Sequence, residues 1–201
     1  MCNSDYILNY RPMNYRYSVL ERRLFMTHTT PDEQYIYILL THFTDRASKT
    51  VKGLTNGTYT HASIGIDNQC IEFYSIVTKG FRIEQPRRFS ERTKSKTPCC
   101  LYKIKVNKED YELIKEELEY HLSKASTYKY TKFGVFLCFL HISHKIKNHY
   151  FCSQFVAEIL HKGNVLKNGK SASLYLPDDF TKIKELDLCY QGNLQGLFRT
   201  A

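Results

Sequence analysis

Ten consecutive residues, Gln34–Phe43 (QYIYILLTHF), carry no charged side chain, no glycine and no proline, and are dominated by Tyr, Ile and Leu. A run this short, apolar and rich in β-formers is the pattern of a central strand, which commits the chain to a sheet with neighbours on both edges. More strand patterns come after it. Thr60–Ile66 and Cys70–Val77 flank Asp67-Asn68-Gln69, and Asn and Asp tolerate the left-handed backbone of a tight hairpin. Gly80–Glu84 and the alternating Cys99–Val106 (CCLYKIKV) predict two more strands, and Leu186–Leu197 a last strand and a tail.

Helical signals are interleaved. Asp45 is a candidate cap for a short helix through Leu54, stopped by Asn56-Gly57. Asn107 is the expected cap of a helix of about 20 residues, with Asp110 as its capping-box-like partner and Tyr111, Ile114, Leu118 and Leu122 as its apolar stripe. Phe133–His141 is apolar and helical in character. In Cys152–His161 (CSQFVAEILH), Phe155, Val156, Ile159 and Leu160 share one face, and Gly163 comes next as a stop. Gln85–Pro98 lacks periodicity and is expected to be loop. Pro177-Asp178-Asp179-Phe180 is a turn into a short helix, capped by its aspartates. The order of elements predicts an α+β domain over residues 34–201, an antiparallel sheet covered by helices. Residues 1–33, rich in Tyr, Arg and Asn, form an N-terminal extension with a short helix at Tyr17–Phe25.

The seven cysteines (2, 70, 99, 100, 138, 152 and 189) are odd in number and irregular in spacing, which favours free thiols in a reducing compartment over a disulfide framework. Met1–Tyr10 is polar, without the apolar core of a signal peptide, and Gly134–Leu140 is too short to cross a bilayer, so a cytoplasmic location is expected. The net charge of +9 favours acidic partners. Its densest stretch, Arg87 to Lys96, is interrupted by Glu91 and carries no nucleic-acid motif. Peripheral contact with an anionic surface is therefore expected, and no specific nucleic acid.

Cys152 stands at the start of an amphipathic helix. Unpaired backbone N–H groups and the helix dipole favour a thiolate there and can receive an oxyanion. A buried structural cysteine is the competing reading. His61 begins the strand THASIGID. Pairing the hairpin about Asn68-Gln69 sets Gly65 opposite Glu72, Ser63 opposite Tyr74 and His61 opposite Ile76, so that His61, Glu72 and Tyr74 share a face. A thiol nucleophile needs an imidazole, and the imidazole needs a polar group to orient it. A His and a Glu on one sheet face also occur as plain surface decoration. A rival set, His141, His144, His149 and Cys152, has zinc-like ligand types at short spacing.

The segments YIYILLTHF, YTHASIGID, CIEFYS, YFCSQFVAEIL and LPDDF, spanning about residues 34–180, resemble the circularly permuted papain-like fold of the NlpC/P60 superfamily, in particular its YiiX/YaeF-like branch. Lecithin-retinol-acyltransferase-like enzymes share that permutation. The resemblance implies Cys152 as nucleophile, His61 as general base and Glu72 as the third polar residue, with no cofactor or metal. It implies hydrolysis of amide bonds, or acyl transfer, through an acyl-enzyme, and so a peptide, amide or acyl-lipid substrate as partner. Ser63, Tyr74, Tyr150 and Gln154 are the candidate substrate-side residues. A non-catalytic module that keeps the fold is the remaining alternative.

Overall fold

The computed structural model describes residues 33–43, 53, 57–93 and 96–198. The helices expected at Tyr17–Phe25 and, but for Gly53, at Asp45–Leu54 lie outside the described residues, as does nearly all of the N-terminal extension. In chain order the elements are β1 (Gln34–Thr41), β2 (His61–Gly65), β3 (Phe73–Val77), β4 (Gly80–Glu84), α1 (Pro86–Arg92), β5 (Pro98–Val106), α2 (Lys108–Ser123), β6 (Lys129–Tyr130), α3 (Lys132–Phe139), β7 (His149–Tyr150), α4 (Cys152–Lys162), β8 (Asp187–Asn193) and α5 (Leu194–Leu197). Short 3₁₀ turns at Ala125–Thr127, Ala172–Leu174 and Pro177–Lys182 join them.

Six strands form one antiparallel sheet in the order β4-β3-β2-β1-β5-β8. The apolar β1 lies inside it, paired with β2 from Tyr37↔Gly65 to Thr41↔His61 and with β5 from Gln34↔Val106 to Thr41↔Cys99. Its side chains alternate between two cores. Ile36, Ile38 and Leu40 join Ala62, Ile64 and Ile76 of the sheet beneath Phe155, Val156, Ile159 and Leu160 of α4. Tyr35, Tyr37 and Leu39 join Phe73, Leu101, Leu194 and Leu197 on the opposite face. Each such buried aliphatic or aromatic side chain stabilises the fold by about 1.5–3 kcal/mol, which is why an uninterrupted apolar run suits this position. The fold is thus α+β, an antiparallel sheet packed with helices, as the alternation of elements predicts.

Several local expectations match. Asn107 Oδ1 accepts the Asp110 N–H at 2.8 Å and Asn107 Nδ2 donates to the Asp110 carboxylate at 2.8 Å, so the cap of α2 is reciprocal. That helix runs 16 residues, shorter than expected, and at its end His121 is buried while Leu122, expected in the apolar stripe, is exposed. Three expectations are corrected. Gln85–Pro98 is not all loop, because Pro86 sits in the first turn of α1, where its missing N–H costs nothing. Gly163 ends α4 at φ −83°, and the left-handed position falls on the next residue, Asn164, at φ 55°. A Cβ on Gly163 would stand 2.1 Å from Ile114 Cγ1, so its lack of a side chain serves close approach of α2.

The third correction concerns the β2–β3 register. Asp67 accepts the N–H groups of Gln69 and Ile71 at 2.9 and 3.1 Å, and Cys70 takes φ 51°. This wider turn delays β3 to Phe73 and sets Ile64 opposite Tyr74. The expected pairing of Ser63 with Tyr74 is off by one residue, and a one-residue slip exchanges the faces. Tyr74 therefore shares the Ile64 face. It packs against the main core with its ring 6.3 Å from that of Phe81, away from the set that includes His61 and Ser63.

Candidate active site

Strand β2 begins with His61, directly opposite Thr41 at the end of the β1 ladder. The segment leading into it is fixed from a distance. The Asp178 carboxylate accepts the backbone N–H groups of Thr58 at 2.8 Å and Tyr59 at 3.0 Å, across about 120 residues of sequence. Asp178 is thus a clamp on the entry to β2, and Asp179 alone performs the expected capping, accepting the Leu176 N–H at 2.9 Å. Thr60 Oγ1 adds a bond from the Phe43 N–H at 2.9 Å. The Phe43 ring lies 5.5 Å from the imidazole and 5.3 Å from Phe89 of α1, an aromatic wall beside His61.

The imidazole is 7 % exposed and makes polar contacts on two sides. Nε2 lies 2.9 and 3.1 Å from the two carboxylate oxygens of Glu84, the last residue of β4. The Cys152 thiol is the second group that acts on the ring, and with Nε2 held by Glu84 the nitrogen left for the sulfur is Nδ1. Burial alone would lower the basicity of this imidazole. The Glu84 carboxylate, reinforced by the hydrogen bonds to Cys152 and Glu84, outweighs burial and holds it well above its ordinary value.

Cys152 is the first residue of α4, whose N-cap is Phe151. No side chain caps that end and no acidic residue stands in its first turn, so the leading N–H groups and the positive end of the helix dipole have no competing side-chain acceptor. Cys70, Cys99 and Cys138 are buried, and burial drives all three upward, Cys99 and Cys138 to about 12. They behave as core residues.

Of the residues singled out from the sequence, His61 and Cys152 are brought together. Glu72 is not with them: its carboxylate accepts Gln85 Nε2 at 3.2 Å, and the carboxylate on His61 belongs to Glu84. Ser63 is fully buried within β2, its hydroxyl without a partner among the described residues. Tyr150 packs edge-on against Tyr128 and Phe155. Gln154 is buried in the first turn of α4. None of Ser63, Tyr74, Tyr150 or Gln154 lines the cleft in front of Cys152. Nor do His141, His144, His149 and Cys152 converge. His149 Nδ1 bonds the Lys147 carbonyl at 2.8 Å, and among the described residues no three His, Cys, Asp or Glu side chains are placed to hold a metal ion.

The cleft itself has a volume of about 710 Å³ and exposes Cys152, His61 and Glu84 to one space. Leu39, Phe43, Phe89 and Leu194 give it apolar walls, and Tyr130 lines it as well. Lys79, Arg82, Arg88 and Arg92 stand around it and form no ion pair among the described residues. A second cavity, about 770 Å³, between the end of β5 and the segment after α4, shares no residue with the cleft. Sequence reasoning missed Glu84, Tyr130 and the aromatic wall. The one available signal for Glu84 was its place as a carboxylate ending a strand just before a helix-starting Pro86. No protein-family model matches the chain, and no curated protein matches it.

Proposed function

We propose that this protein is a cysteine-dependent amide or ester hydrolase on a permuted papain-like domain, with Cys152 as nucleophile, His61 as general base and Glu84 as the residue that orients the imidazole. The observation that carries this reading is the convergence of Glu84, His61 and Cys152 on one cleft, with Glu84 bonded to the imidazole and the sulfur at an uncapped helix N-terminus. Each part has a chemical task. Glu84 accepts a hydrogen bond from Nε2–H and keeps that proton on the ring, which leaves Nδ1 to take the proton of the thiol. The thiolate attacks the carbonyl carbon, and backbone N–H groups of the first turn of α4 receive the oxyanion. Collapse breaks the bond to the leaving amine or alcohol, which takes its proton from His61 and leaves a thioester on Cys152. His61 then deprotonates water, which attacks the thioester, and the sulfur regains its proton as the acid departs.

The apolar walls Leu39, Phe43, Phe89 and Leu194 favour a second version, in which the group on sulfur is a fatty acyl chain and an acceptor other than water resolves the thioester. The two versions use the same three residues and differ in the acyl group carried and in the acceptor that removes it.

The test is labelling by an electrophilic thiol probe followed by peptide mass analysis. Cys152 is expected to label ahead of the other six cysteines, and His61→Ala to slow that labelling. Equal labelling of Cys152 in the two proteins retires the reading. The mass of the adduct trapped on Cys152 from a panel of peptidyl and fatty-acyl esters then separates the two versions.

A further inference from the structure

We propose that the outer face of α3 and the loop after it form a docking surface for an anionic lipid bilayer. Helix α3 is apolar all round, and its inner and outer faces have different fates. Gly134, Val135 and Cys138 are buried against Phe151, the residue before the nucleophile. Gly134 makes that approach possible, since a Cβ there would stand 2.6 Å from Thr131 Cγ2 and 3.3 Å from Phe151 Cδ1. At 100° per residue the opposite side carries Phe133, Phe136 and Leu140, Phe139 lies on its flank, and Ile142 and Ile146 come next in the loop. All six are exposed, Phe133 by 58 %. Six exposed large apolar side chains within fourteen residues of chain mark an interaction site.

The charges around it say what kind. Between Glu119 and Glu158 there is no acidic residue and no arginine, while Lys124, Lys129, Lys132, Lys145 and Lys147 all fall in that span. Lys145 pairs with Glu158 at 3.0 Å, and Lys129, Lys132 and Lys147 form no ion pair among the described residues. Phenylalanine and aliphatic side chains ringed by lysine match the acyl boundary and the anionic headgroups of a bilayer, with the lysine stems along the apolar surface and the ammonium groups in the headgroup layer. A protein partner fits less well, because interfaces are depleted in lysine and enriched in arginine. A symmetric second copy would oppose lysine to lysine. Nucleic acid could stack bases only on the three phenylalanines and would leave the aliphatic Leu140, Ile142 and Ile146 beside them uncovered. No helix among the described residues is long and apolar enough to cross a membrane, so the contact is interfacial. Tyr130, which packs beside this helix, also lines the cleft of Cys152, so docking brings that cleft to the lipid surface.

The test uses the full chain carrying Cys152→Ala, so that binding is read without turnover and its failure is separate from failure of the hydrolase reading. Flotation with phosphatidylcholine vesicles containing about one-third phosphatidylserine is expected to recover the protein at least ~10-fold better than pure phosphatidylcholine vesicles, less so as salt rises. The triple variant F133S/F136S/L140S is expected to lose that binding by at least ~10-fold with its thermal transition kept, since these side chains project from the surface. K132E/K147E should lose the preference for the anionic vesicles while remaining folded. Absence of binding, or equal binding by the folded triple variant, overturns the proposal. So does a dimer of the Cys152→Ala protein that the triple variant dissolves, or co-purifying RNA that it sheds.

Discussion

Glu84 and His61, from different strands and 23 residues apart, meet through one imidazole nitrogen and both carboxylate oxygens, at 2.9 and 3.1 Å. The carboxylate holds the ring with Nε2 turned away from the sulfur, so replacing it by an amide removes the charge and admits the wrong tautomer. Glu84→Gln is expected to slow labelling of Cys152 by ~10²–10⁴-fold, the range over which a positioned base contributes. Glu72→Gln, whose partner is Gln85, is expected to leave the rate unchanged. Equal effects of the two changes would remove Glu84 from the mechanism.

The same pair ties stability to pH. The folded-state basicity of His61 is raised above the unfolded value of about 6.5, so the folded protein holds a proton that the unfolded chain releases. The stabilisation is present in full below pH ~6.5 and is lost as pH rises through the folded value. Urea unfolding of wild type and Glu84→Gln across this range should give a gap that narrows with rising pH. A gap that stays constant or widens contradicts the linkage.

Asp178 holds two backbone N–H groups just ahead of β2. Hydrogen bonds to a charged acceptor are worth about 1.5–3 kcal/mol each, less here because Thr58 is solvent-exposed. Asp178→Ala is expected to cost about 1–3 kcal/mol in urea unfolding and to slow Cys152 labelling as well, because His61 lies two residues beyond the clamped segment. Loss of stability with labelling untouched would limit Asp178 to the fold.

Gly163→Ala tests close approach against backbone conformation. Alanine tolerates φ −83°, so a purely conformational role predicts no loss. The Cβ would press into Ile114, which is fully buried, and overpacking of this kind costs about 1–3 kcal/mol. A thermal transition equal to that of wild type would show that α2 can shift aside.

Local patterns in the chain were sufficient for most of the scaffold. The buried strand β1, the reciprocal Asn107–Asp110 cap and the amphipathic α4 beginning at Cys152 each depend on residues within a few positions of one another, and periodicity and capping chemistry report such relationships directly. The pairing of His61 with Cys152, by contrast, came from a resemblance and not from any local signal. The loop forecast for Gln85–Pro98 hid α1, because a helix of 7 residues has too few turns to show a periodicity.

The choice between Glu72 and Glu84 was beyond any local rule. Two short strands each offer a carboxylate, and a turn one residue wider than expected, with Cys70 at φ 51°, reverses which side chains share a face. That outcome depends on packing between strands and on where the β3–β4 hairpin carries its last residue. Linear order therefore names the helix that begins at Cys152 and the strand that begins at His61, because both are short-range features of the chain. The carboxylate that completes the site, the clamp from Asp178 and the exposed side of α3 are set by contacts between distant segments, and those exist only once the sheet and helices have closed on each other.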